Sequence, residues 1–538
     1  MRFNVILTCI ICAALAFAQE EPSFPRPSYF RNHFWMPDQR VELQSPVHLR
    51  DFVVSGKLEL SLKDYLELVM ENNTDIRVQI LNVQIPKDAI MRAYGQFDPV
   101  LTGSFQSTRA STPPTSKLVE ASILTTLTQP AKFGISQTLE TGTSYSVGFS
   151  AEKDTTNDAN TTWNPALQSA LTASFSQPLL RNRGSGLVRL PIVIAQGNRH
   201  IAENSLKDKV LTAIQNAENA YWDVVQAREN LKVQEESLKM NDTSLKLYQR
   251  ELELGALSPL DIYLPQSQYA AAETSVIQAK YSLAQVEDAL RKQIAADLDP
   301  EVRNLPIVLT EDVLPPAGTS SLDKNTAVER ALKLRPDLWA VIGTVDVDDL
   351  QIKQAGNAMR PNLALTGGYN SMGRGGTYFS GIGPPIPGGM TDALGQVFGF
   401  QYSTYAFGLT LSMPLRDHTA AANLADTLVQ KKMDSLSQRS LEQNIRLQVF
   451  NAVDQVESAK ASIQSATTTR DFAQKALEAE QKKYELGTNT LFFVLDAETR
   501  LVTAESNLLT QSISYRRNLL NLLRMTGELL DARGVAIQ

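Results

Sequence analysis

The chain has 538 residues, with 51 Lys and Arg against 58 Asp and Glu for a formal charge of −7, and 43% hydrophobic residues. That much apolar content over such a length supports two or more packed domains and excludes a disordered chain. An acidic balance without a basic tract excludes nucleic acid as the chief partner, because that affinity rests on Lys and Arg neutralising phosphates.

The chain opens on Arg2, an apolar run over residues 5–15 and the triplet Ala16-Phe17-Ala18. This reads as a secretory signal peptide over residues 1–18, cut before Gln19, because the run is too short to span about 30 Å of hydrocarbon. Cys9 and Cys12 are the only cysteines and fall inside it, without the small residues that a lipoprotein signal places before its cysteine. His33, His48, His200 and His418 stand far apart, so no metal or other cofactor is expected. Residues 19–57, with Pro22, Pro25, Pro27, Tyr29, Phe34 and Trp35, read as an extended arm. Downstream, no uninterrupted apolar stretch reaches about 18 residues, so no membrane-crossing helix is expected.

Residues 58–299 and 322–530 read as two copies of one unit, joined by a Pro-rich linker over residues 300–321 and followed by a tail over residues 531–538. Asn73-Thr74-Asp75-Ile76 aligns with Arg335-Pro336-Asp337-Leu338, and Phe97-Asp98-Pro99 with Met359-Arg360-Pro361, at one offset. Glu253-Leu254-Gly255 aligns with Glu485-Leu486-Gly487 at another. Such self-similarity marks a tandem duplication.

In each copy, short helices precede strands of period two. Tyr145, Val147, Phe149 and Ala151 alternate with Ser144, Ser146, Gly148 and Ser150. Leu171, Ala173 and Phe175 do the same, as do Tyr405, Phe407, Leu409, Leu411 and Met413. Leu101 with Phe105, Phe133 with Ile135, and Leu363 with Leu365 and Tyr369 are weaker examples, giving six segments. Apolar, aromatic-bearing faces opposite small polar ones fit a soluble sandwich, and in an exported chain they also fit a membrane barrel. Residues 108–130 and 152–168 read as polar loops and residues 371–403 as a long Gly-rich loop.

After the strands come runs without Gly or Pro, over residues 198–254 and 415–486. Val210, Ala217, Val224, Leu231, Leu238, Leu245 and Leu252 recur every seventh residue. Val449, Val456, Ile463, Leu477 and Tyr484 repeat the register, with Arg470 the one misfit. A shorter helix follows each run, and Gly255 and Gly487 make each pair an antiparallel hairpin.

This order resembles the TolC-type outer-membrane efflux protein family over about residues 58–530. The most specific match is Tyr484-Glu485-Leu486-Gly487-Thr488 followed by Val494-Leu495-Asp496-Ala497; the first tip, Leu254-Gly255-Ala256 with Asp261-Ile262, is looser. The resemblance implies a mainly α fold with a membrane β-barrel portion, in which duplicated strand pairs and long helical hairpins close, as a homotrimer, into a β-barrel and an α-barrel tunnel. The implied protein partners are a periplasmic adaptor and an inner-membrane pump, with outer-membrane lipid around the barrel. Asp496 and Phe493 are expected at the periplasmic aperture, Asp261, Tyr484 and Asn489 at an inter-hairpin clasp, and Leu254, Gly255, Ala256, Leu486, Gly487 and Thr488 at the adaptor-docking tips. Two departures stand out. The family supplies four strands per chain, so the surplus hairpin about Glu140-Thr141-Gly142 either enlarges the barrel or sits outside its wall; and Phe493 replaces an aperture aspartate.

A hydrolase is not expected, since Gly-x-Ser-x-Gly, His-Glu-x-x-His and any local His/Asp/Ser cluster are missing. A periplasmic coiled-coil scaffold without a pore is the competing reading. It accounts for the heptads but leaves the duplicated strands unexplained.

Overall fold

In the computed structural model, residues 46–114, 121–255, 258–311, 323–380 and 383–535 are described. The expected signal peptide, most of the arm, Ala256, and residues 312–321 of the linker lie outside them.

A short sheet begins the described chain: β1 (Val53–Val54) pairs antiparallel with β2 (Lys57–Leu60). Helix α1 (Leu62–Asn72) starts on Ser61, whose hydroxyl accepts from the Asp64 N–H at 3.2 Å. Asn73 ends α1 and caps α2 (Thr74–Tyr94), accepting from the N–H groups of Asp75 at 2.9 Å and Ile76 at 3.2 Å, which satisfies donors otherwise left orphaned at a helix start. Strands β3 (Val100–Phe105), β4 (Thr108–Thr112), β5 (Leu124–Thr138), β6 (Ser144–Thr156) and β7 (Trp163–Pro178) follow. Then come α3 (Leu190–Glu253), α4 (Tyr263–Gln293) and β8 (Ile307–Leu309), which adds parallel to β2.

The second half repeats the plan. Helix α5 (Lys324–Leu334) has the 11 residues of α1, and α6 (Pro336–Ala358) takes the place of α2. Then β9 (Asn362–Tyr378), α7 (Met390–Phe398) and β10 (Tyr402–Ser412) lead into α8 (His418–Glu485), α9 (Leu491–Thr526) and α10 (Leu529–Arg533). Helices α3 and α8 run 64 and 68 residues, roughly 95–100 Å at 1.5 Å per residue. Val210, Ala217, Val224, Val449 and Leu477 of the expected registers are buried. The misfit Arg470 lines a shallow cleft with Glu236 and Glu505, so its charge meets carboxylates.

Helix α3 begins before residue 198, taking in Pro191 in its first turn and Gly197 in its body. Pro costs nothing there because a first-turn N–H has no helical acceptor. Gly197 is used for close approach: a Cβ would stand 2.6 Å from a methyl of Val347 on α6.

The main sheet runs β10-β9-β7-β6-β5-β3, all antiparallel, with β4 extending the line of β3 along β5. It is therefore six positions wide, and the surplus hairpin β5–β6 lies inside it. Rows across the sheet alternate in character. Ile135, Val147, Ala173, Tyr369 and Tyr405 are successive neighbours, and the next row is Gly134, Gly148, Thr172, Asn370 and Thr404. One face is thus apolar and largely exposed, with Phe133 at 61% and Phe407 at 73%, while the other is small and polar. The expected loops over residues 108–130, 152–168 and 371–403 are largely strand or helix. Strands of 13 to 17 residues outlast the apolar band, and beyond it nothing alternates to betray them.

The main buried core packs Tyr65, Leu66, Val210, Ile214, Tyr221, Trp222, Ile513 and Leu520 where α1, α3 and α9 meet. A second cluster, Val328, Leu338, Ile445, Val449 and Leu522, does the same for α5, α6, α8 and α9. Helix α10 is tied to the first: Arg533 donates to both carboxylate oxygens of the buried Glu218, at 2.9 and 2.5 Å, and the Trp222 indole N–H donates to the same carboxylate at 3.3 Å.

Candidate functional site at the hairpin tips

Each long helix ends on a left-handed glycine. Gly255 has φ +75° and Gly487 φ +69°, a region where a Cβ is strained. The Gly255 N–H reaches the Leu252 carbonyl at 3.0 Å and the Gly487 N–H that of Tyr484 at 2.9 Å, closing each helix end. A Cβ on either glycine would meet nothing within 4 Å. Leu254 and Leu486 beside them are 75% and 77% exposed. Thr488 donates to the Lys483 carbonyl at 3.0 Å. Each described tip is therefore a bare backbone turn flanked by an exposed leucine.

Just above the tips, the two hairpins are latched together. The Tyr484 hydroxyl donates to Glu251 at 2.6 Å, and its ring stands edge-on to the buried Tyr248 at 6.0 Å. Ile262, Leu491 and Leu495 close the surrounding apolar cluster. Within the chain Tyr484 is thus partnered by Glu251, not Asp261, which lies in the turn before α4 with its N–H bonded to Ser258 at 3.0 Å. Asn489 does not cross between hairpins here either. It donates to Glu480, which also receives Lys483 at 2.6 Å.

Two turns into α9, Glu498 is 4% exposed, accepts from the Ser244 hydroxyl of α3 at 3.2 Å, and leaves its other oxygen without a hydrogen-bond partner. Burial pushes this carboxyl above the ordinary 4.5, and the Ser244 bond only partly offsets that. The unfolded chain then releases the proton at lower pH than the folded one, so stability falls as pH rises from 4.5 through the raised value. The Glu498→Gln variant should lose that component, and thermal melting against pH would record the flatter profile.

Helix α9 buries Leu491, Val494, Leu495, Ala497 and Leu501, which leaves Phe492, Phe493, Asp496 and Arg500 on the opposite side. Phe493 is 48% exposed and stands edge-on to Phe492 at 5.6 Å. Asp496 is partnered by Arg500 at 2.8 Å. Arg500 and Phe492 escaped the sequence reading, although the four-residue spacing of Asp496 and Arg500 is an ion-pair signal. Glu251, Tyr248 and Ser244 were also missed, since they belong to the other hairpin. Among the described residues, no group of three His, Cys, Asp or Glu side chains is placed to hold a metal ion.

The profile of the family described as outer membrane efflux protein matches residues 66–296 and 327–528. The outer membrane protein TolC of Vibrio cholerae serotype O1 is 24% identical over 318 residues, which span 58% of this chain and 67% of that protein. The TolC of Escherichia coli K12 is also 24% identical, over 59% of this chain and 62% of its own length. The crystal structure of the Campylobacter jejuni CmeC outer membrane channel superposes with a TM-score of 0.61 at 15% identity, covering 92% of this chain and 90% of that one.

Proposed function

Since the chain belongs to the outer membrane efflux protein family, located in the outer membrane and acting as a channel component of tripartite efflux systems, we propose that three copies form one passive conduit. In it the sheets close a single β-barrel and the hairpins close a tunnel beneath. The observation that carries this reading is the main sheet: apolar on one face, polar on the other, with β10 and β3/β4 as edges that find no further strand among the described residues. In hydrocarbon an open edge leaves several kcal/mol of unsatisfied backbone per group, so each edge must find the next copy. A scaffold in water would have no use for rows of exposed Phe133, Tyr405 and Phe407. Six positions from each of three copies make eighteen strands, the width at which barrels enclose an aqueous channel. A barrel this wide leaves selection to the periplasmic end.

There, symmetry gathers three copies each of Phe493, Asp496 and Arg500 about the axis, and an adaptor and an energised inner-membrane pump would dock around the tips. The Asp496 carboxylate is paired one to one with Arg500 in a solvent-exposed bridge of modest strength, about 1 kcal/mol or less, so the balance between the two sets the sign of the aperture. Asp496→Asn should strip the ring of its acid, leave Arg500 unpaired and shift the reversal potential toward anions; Arg500→Gln should shift it toward cations, each by several-fold in permeability ratio. Single-channel recording under a salt gradient reads both. Reversal potentials equal to the parent's in the two variants would remove Asp496 and Arg500 from the conduction path.

A further inference from the structure

Between β9 and β10 the chain builds a fitted part. Helix α7 is capped by its own Asp392, which accepts from the Gly389 N–H at 2.7 Å, and it presses Ala393 and Val397, four residues apart and fully buried, onto the sheet. Ser371 of β9 donates to the Val397 carbonyl at 2.8 Å. The Gln396 amide closes on the backbone of Arg374, accepting at 2.9 Å and donating at 3.0 Å. Glycines make the fit possible: a Cβ on Gly373 would stand 2.0 Å from the Ala393 carbonyl oxygen, and one on Gly375 2.1 Å from that of Gly389.

The face that α7 covers is decided by the period of the strand. Ser371, Gly373 and Gly375 alternate in step with Leu363, Leu365 and Tyr369, whose neighbours on β10 are Leu411, Leu409 and Tyr405. The helix therefore rests on the apolar, outward face, at the end of the sheet away from the hairpins. Phe398 stacks on Phe149 at 6.5 Å and Phe400 tilts onto Tyr369 at 6.2 Å. Both stay open, 61% and 50% exposed, and they continue the band formed by Tyr405 and Phe407. Thr391, Asp392 and Gly395 are also exposed.

We propose that α7 is an interfacial helix of the outer leaflet: it lies flat at the headgroup level on the outside of the barrel, with Phe398 and Phe400 set into lipid at the upper edge of the apolar band. Lipid is the occupant because these rings are continuous with a face that lipid already covers, and because aromatic rings favour the headgroup boundary. The inference rests on the outer-membrane barrel reading, and its test keeps the two apart. Phe398→Trp, Phe400→Trp and, as a marker inside the band, Phe407→Trp would be reconstituted as full-length trimers in phosphatidylcholine vesicles with brominated acyl chains. The parent's tryptophan emission is subtracted from each. The first two variants should lose most of their added emission to bromine near the headgroups and little to aqueous acrylamide, and the third should respond to deeper bromine. If the Phe407 variant is quenched by lipid while both α7 variants respond to acrylamide alone, the helix stands in water or against an extracellular protein, and the proposal is overturned. A Phe407 variant blind to bromine would instead sink the barrel reading. Phe400→Trp, which leaves the Phe149 stack intact, serves if Phe398→Trp yields no trimers.

Discussion

A chain carrying both Gly255→Leu and Gly487→Leu should reach the outer membrane as trimers and yet export at background level. Both glycines have positive φ and open space around them, so a side chain there costs about 1–2 kcal/mol of local strain each, too little to undo helices of 64 and 68 residues. What the leucines do change is the closest approach of a partner to the turn between Leu254 and Gly255 and between Leu486 and Gly487. Ala at both positions carries the same strain without the bulk and should keep most export. The assay is complementation of a strain lacking this gene, scored over toxic compounds and secreted polypeptides, alongside trimer content on unheated gels. Export at parent level by the double Leu variant would contradict docking at the tips.

The largest effect on stability should come from Arg533→Ala. Glu218 is 1% exposed, and two of its hydrogen bonds come from that guanidinium. Truncating Arg533 leaves a buried carboxylate with the Trp222 indole N–H and the nearby Arg516 charge but without its bidentate partner, a loss of about 3–5 kcal/mol. Replacing both partners, as Glu218→Leu with Arg533→Met, removes the charge together with its need and should recover much of that loss. Thermal unfolding of the detergent-solubilised protein distinguishes the two, and an Arg533→Ala melting point within a degree or two of the parent's would refute the clamp.

The parts of this fold that could be read from sequence are those fixed by local periodicity. Long Gly-free and Pro-free runs with apolar residues every seventh position marked α3 and α8, and alternation about Tyr145, Leu171 and Tyr405 marked strands, because in each case one face is apolar and the other is not. The same logic explains the failures. Strand β9 continues from Ser371 to Tyr378 where glycines leave no side chains to alternate. Helix α7 was hidden among those glycines, although Ala393 and Val397 carry its spacing. Of the latch only Tyr484 was named from the sequence: its partner Glu251 is 233 residues away, and only the packing of one hairpin on the other selects Glu251 over Asp261. The membership of β5–β6 in the wall likewise needed the register, since alternation alone fits a hairpin inside or outside it.

Single-channel recording of the protein extracted from outer membranes tests the conduit most directly. Trimers added to a planar bilayer should insert in discrete steps and conduct, with a reversal potential that moves in opposite directions for Asp496→Asn and Arg500→Gln. Protein recovered without detergent as a water-soluble monomer, giving no conductance steps, would contradict the account.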